Sequence, residues 1–104
     1  MKYKEIVIAK DFSDCPFGRY KTDSNFSAQA FSEDLLIPAL KNYDVVTVVL
    51  DGVFGYGSSF LEEAFGGLLR YGFSSIDLQT KLNIVSEEDE HLVTEILRYI
   101  NGKG

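Results

Sequence analysis

VVTVVLDGVFGYGSSFLEEAFGGLL, residues 45–69, decides the fold of this chain. Val45 to Leu50 holds five β-branched residues in six, with Thr47 its only polar member. Such a run reads as a central strand buried on both faces. Asp51 to Gly57 follows as a glycine-rich loop, and a helix is expected from about Ser58 to Tyr71. Leu61, Ala64, Phe65, Leu68 and Leu69 make its apolar stripe. Ser58 is the expected N-cap, and Glu62 and Glu63 suit the positive end of the helix dipole. Gly66 and Gly67 lie inside the helix, where each costs about 1 kcal/mol against Ala. A close approach of helix to sheet would offset that cost.

Outward from this core, a strand is expected over Tyr3 to Phe12, and a short second strand at Gly18 to Thr22. Ser27 caps a helix reaching about Lys41, with Pro38 disturbing its last turn. Ser74 to Thr80 is ambiguous and could form one helical turn, and Leu82 to Val85 reads as a last strand. Ser86 with Asp89 resembles a capping box, opening a final amphipathic helix whose first turn carries Glu87, Glu88, Asp89 and Glu90. The order β-(β)-α-β-α-β-α predicts one α/β domain over residues 1–104. It predicts a sheet of about four strands, mixed, with helices mainly on one face.

Composition narrows function. The 104 residues carry 16 acidic and 10 basic side chains, a net charge of -6. Nucleic acid and anionic membranes both select clustered Lys and Arg, so neither is an expected partner. Cys15 is the only cysteine and His91 the only histidine, which excludes a disulfide framework and multi-cysteine zinc sites. The apolar run in MKYKEIVIAKDF is too short for a signal peptide, so a cytoplasmic protein is expected.

The loop at 51–57 ends a central strand and opens a helix, the place where open α/β sheets bind ligands. Gly52, Gly55 and Gly57 lack the Gly-Lys-Ser/Thr of a phosphate loop. Neither Ser58 nor Ser59 fits Gly-x-Ser-x-Gly. A tight strand-to-helix turn is the simpler reading, and no catalytic residue, cofactor or metal is expected. Asp51 either ligates a cation or orients the loop, or is a turn former that bonds its own backbone. Arg19 either binds a phosphate or partner carboxylate, or pairs with Asp23 or Asp51. Phe54, Tyr56 and Phe60 place three aromatics in seven residues, a composition enriched at interface hot spots. Phe54 and Phe60 could fold into the core, whereas Tyr56, between two glycines, is hard to bury and is the leading candidate for partner contact.

The run at 45–69 resembles the STAS domain of bacterial anti-sigma-factor antagonists: an apolar strand, an Asp, a Ser-bearing turn, then an apolar helix. CPFGRYKTDSNFSAQAFSEDLLIPAL, residues 15–40, resembles bacterial STAS-like domains of unknown function, with its Gly-Arg-Tyr turn and Leu-x-Pro-x-Leu helix end. In the antagonists, a serine of an Asp-Ser-Ser-Gly turn is phosphorylated by a partner kinase that is also the anti-sigma factor. The resemblance places that position on Ser58, next to Ser59. Here Gly57 replaces the Asp and Phe60 the Gly. The resemblance thus implies a non-enzymatic regulatory module that binds a protein partner, a kinase-like ATPase regulator, through residues 51–63. Contact residues would be Asp51, Gly55, Tyr56, Gly57, Ser58, Phe60 and Arg19. The competing reading is a small-ligand or nucleotide sensor using the helix N-terminus after Gly57 as an anion site. Exposed aromatics are also compatible with a homodimer.

Overall fold

The computed structural model describes residues 1–102. Strands β1 (Tyr3–Val7), β2 (Val45–Val49) and β3 (Leu82–Val85) form one sheet in the order β1-β2-β3. Both pairings are parallel, placing Ile6, Val48 and Ile84 side by side. The expected four-stranded mixed sheet is thus corrected to three strands, all parallel.

The segment at Gly18 to Thr22 is not a strand, because its backbone groups are already engaged. The carbonyls of Gly18 and Arg19 accept from the N–H groups of Ala28 and Gln29 at 2.9 Å each. The N–H groups of Tyr20 and Lys21 donate to the side chains of Asp23 and Gln29. Gly18 itself is left-handed, with φ 85°. The first strand also ends early. At Ile8 the chain winds into α1 (Ile8–Asp11), with the N–H of Phe12 and Ser13 both donated to the Ile8 carbonyl and that of Val7 to Asp11 Oδ2.

Helix α2, residues 28–42, starts where expected, with Ser27 Oγ accepting from Ala30 N–H. Its middle turn, Ser32–Leu36, is π-helical, and Ile37–Asn42 returns to α. Pro38 has no N–H to give the carbonyl four residues back, and its ring crowds that carbonyl. A widened turn just before it relieves both. Helix α3, residues 58–70, repeats the pattern with a π-helical Glu62–Gly66. The two wide turns meet: the buried Ser32 hydroxyl donates to the Ala64 carbonyl at 3.1 Å. The close approach at Gly66 is to the last helix rather than to the sheet. A Cβ there would lie 2.8 Å from Glu62 Oε2 and 3.4 Å from Tyr99 Cβ.

Helix α4 (Ser75–Lys81) occupies the ambiguous segment, capped by Ser74 Oγ on Asp77 N–H. Helix α5 (Glu90–Ile100) begins later than the capping-box reading implies, with Asp89 as its N-cap, although Ser86 Oγ does accept from Asp89 N–H at 3.0 Å. Ile6, Val46, Val48, Leu82 and Ile84 bury one face of the sheet with Phe31, Leu40, Phe65, Leu68 and Ile96. The opposite face is only partly covered: Glu5 and Asn83 are exposed, and Val45, Thr47 and Val49 half-buried. Strand β2 is therefore fully buried on one face, not two. The structure places the loops after β1, β2 and β3 together at the carboxyl end of the sheet.

Candidate functional site

The loop after β2 is clamped at both ends. Asp51 accepts from Ser86 Oγ at 3.2 Å, from Glu87 N–H at 3.0 Å and from Glu88 N–H at 2.9 Å. Glu88 answers by accepting from Gly52 N–H at 2.9 Å. Gly52 takes φ 88°, which a side chain would strain, and a Cβ there would stand 3.1 Å from that of Ala9. The backbone N–H groups of Glu87 and Glu88 hold the Asp51 carboxyl below the usual aspartate range. Of the three N–H groups after Ser86, those of Glu87 and Glu88 go to Asp51 and that of Asp89 goes to Ser86 Oγ.

Farther along, Phe54 N–H donates to the Asp14 carbonyl at 2.9 Å, tying the loop to the segment after β1. The Phe54 side chain is 87% exposed. Tyr56 reverses the expectation. It is half-buried, its hydroxyl donates to the Leu50 carbonyl at 2.7 Å, and its ring sits 6.2 Å from that of Phe60. Burial, reinforced by the nearby Asp51 and Glu88 carboxylates, pushes its phenol well above the ordinary tyrosine range. Tyr56 thus braces the loop from below, and Phe54 is the aromatic presented to solvent.

Gly57, not Ser58, is the N-cap of α3, and no side chain bonds to that end. Ser58 and Ser59 are the first two helical residues and both are exposed. Phe60 is 1% exposed and belongs to the core. Arg19 reaches neither Asp23 nor Asp51. Its guanidinium pairs with Glu62 at 2.7 Å and Glu63 at 3.4 Å. Arg70 joins the same carboxylates at 3.0 and 3.2 Å. The Glu62 hydrogen bond raises Arg19 further above its ordinary value, and Arg70 first and Arg19 second lower Glu62. Of the residues expected at the site, Asp51, Gly55, Gly57 and Tyr56 share the loop, with Ser58 and Ser59 at its exit. Arg19 lies in a separate ion-pair network.

A cleft of about 270 Å³ opens beside the loop. Leu50, Phe54 and Tyr56 line one side, and Glu88, Asp89 and Leu92 the other. The residues after β3 were expected only as the first turn of the last helix, and the structure adds them to the site. The signal was present: in a parallel sheet the loops after neighbouring strands lie side by side. Among the described residues, no His, Cys, Asp and Glu group of three or more could hold a metal ion, and no helix is long and apolar enough to cross a membrane.

Over residues 27–92 the chain matches the family described as STAS-like domain of unknown function (DUF4325). No curated protein and no solved structure matches it. The family match spans β2, the clamped loop, α3 and β3, and the chain belongs to that family.

Proposed function

We propose that this STAS-like domain is a non-enzymatic regulatory module that binds a protein partner through residues 51–63. One observation carries the reading: Phe54 stands 87% exposed on a loop braced from three directions. Asp51 fixes the loop base, Phe54 N–H its tip and the Tyr56 hydroxyl its underside. An aromatic side chain held on an already ordered backbone loses little entropy on docking, which is what an interface anchor needs.

Ser58 and Ser59 add a means of regulation. Both residues are exposed at the start of α3, next to the presented loop, with the Ser58 hydroxyl beside that of Tyr99. A phosphate there carries about -1.5 to -2 charges, which the helix N-terminus tolerates and a docked acidic or apolar surface does not. By family resemblance the partner is a kinase-like ATPase regulator. The nucleotide-sensor alternative has the uncapped helix start in its favour. The carboxylates at 87–90 oppose a phosphate at this end of the sheet.

The test is capture of partners from native lysate by wild type, Phe54→Ala and Ser58→Asp. A partner held by wild type and weakened at least tenfold by Phe54→Ala supports the loop as the docking surface. Release by Ser58→Asp supports a switch, whereas equal retention makes the domain a constitutive adaptor. Undiminished binding by Phe54→Ala removes the loop from the interface. Specific thermal stabilisation by a nucleotide, with no partner captured, favours the sensor.

A further inference from the structure

The cleft beside Phe54 holds acidic groups that the chain does not neutralise. Glu88 spends Oε1 on Gly52 N–H, and Asp89 spends Oδ1 on His91 N–H. Neither has a Lys or Arg within ion-pair distance among the described residues, nor do Asp51, Glu87 and Glu90. Elsewhere the chain answers its acidic pairs, Glu62 and Glu63 with two arginines and Glu33 and Asp34 with Lys21. Between the unanswered carboxylates and the Phe54 loop the lining joins the apolar Leu50, Tyr56 ring and Leu92 to the polar Ser86 and the Gly55 backbone.

We propose that this cleft receives a lysine or arginine side chain of the protein partner, with an apolar neighbour of that residue lying on Phe54. The inference rests on the reading that the loop is the docking surface, and it names the chemistry that surface selects. A basic side chain needs apolar walls for its stem and carboxylates for its head, and the cleft offers both. Small-molecule sites usually enclose roughly 300–1,000 Å³. At about 270 Å³ the cleft suits one long side chain better than a nucleotide. The net charge of -6 would also draw a basic segment in from a distance.

The experiment is a titration of the isotope-labelled protein with Nα-acetyl-arginine amide, and with the neutral citrulline analogue, followed by amide chemical shifts. Arginine should move the amides of residues 52–56 and 86–92 at millimolar concentration. The effect should shrink with added salt, and Glu88→Gln with Asp89→Asn should abolish it. Equal shifts from citrulline, persistence in the double variant, or no shift at all would each overturn the proposal. The captured partner separates the two readings. Loss of binding in Phe54→Ala with full binding in the Glu88→Gln, Asp89→Asn variant keeps the docking loop and discards the cationic occupant. Full binding by both discards the docking loop too. Concentration-dependent dimerisation mapping to these same amides would assign the cleft to a second copy of the chain and overturn a foreign partner.

Discussion

Two acidic clusters on this chain meet opposite fates. At the middle of α3, Glu62 and Glu63 each meet both Arg19 and Arg70. After β3, Glu87 to Glu90 meet no cation of the chain among the described residues. The first cluster spends its charge inside the molecule, tying the segment before α2 to α3. The second contributes backbone clamps and caps but leaves its charge facing outward. Charge that is answered locally acts on folding, and charge left unanswered beside an apolar cleft acts on what approaches. The same split runs through the aromatics of the loop, where Tyr56 is bonded inward and Phe54 is presented.

The largest effect should come from breaking that second split. Tyr56→Ala removes a half-buried ring and the donor to the Leu50 carbonyl, and should cost about 2–3 kcal/mol in urea unfolding. Phe54→Ala, two residues earlier, should stay within about 0.5 kcal/mol of wild type. Equal losses at both positions would mean that Phe54 belongs to the fold and is not free for a partner.

Next comes the clamp. Asp51→Ala leaves the N–H groups of Glu87 and Glu88 without their acceptor and should cost about 1–2 kcal/mol. The acid response has a definite sign. The folded carboxyl titrates below its ordinary 3.8, so its contribution is complete above that value and fades as pH falls through the lower, folded one. Stability measured from neutral to acid pH should therefore fall less steeply in Asp51→Ala than in wild type. Identical slopes would show that the clamp works without its charge.

This clamp also marks the limit of what sequence could disclose. The strands at Val45 and Leu82, and the helices after Ser27 and Ser58, were legible because each is set by local periodicity or capping. The strand at Gly18 to Thr22 was misread because Asp23, Gln29 and Ala28 claim its backbone groups, and a β-prone composition does not display that competition. Asp51 was legible as a turn residue, but its partners lie 35 to 37 positions away, in the loop after β3. Which aromatic points outward was equally hidden, since Phe54 and Tyr56 differ by one hydroxyl and that hydroxyl finds the Leu50 carbonyl.

The answered cluster gives a smaller, salt-sensitive effect. Arg19 is 36% exposed, so solvent screens its pairs. Arg19→Ala and Arg70→Ala should each cost no more than about 1 kcal/mol, because the other arginine still serves both carboxylates. Removing both should cost more than the sum, as Glu62 and Glu63 are then adjacent and uncompensated. A double-mutant cycle in low and high salt reads this directly. Strict additivity would show two independent pairs rather than one network.

The smallest change in stability should come from the unanswered cluster. Glu88→Gln keeps an oxygen for Gly52 N–H, and Asp89→Asn keeps an N-cap acceptor for His91 N–H. Both substitutions remove charge while leaving hydrogen bonds in place. The helix dipole favours a carboxylate at Asp89 by about 0.3–1 kcal/mol. Neutralising two of five crowded acidic groups returns a similar amount. The double variant should therefore unfold within about 0.5 kcal/mol of wild type, while its response to the arginine probe disappears. That pairing of outcomes gives the comparison its meaning. Charges that stabilise the fold would register in unfolding, and charges kept for a partner should register only when a cation is offered. A loss of about 1 kcal/mol or more, the scale expected for the pairs of Arg19 and Arg70, would place Glu88 and Asp89 with Glu62 and Glu63, and the distinction between the two clusters would fail.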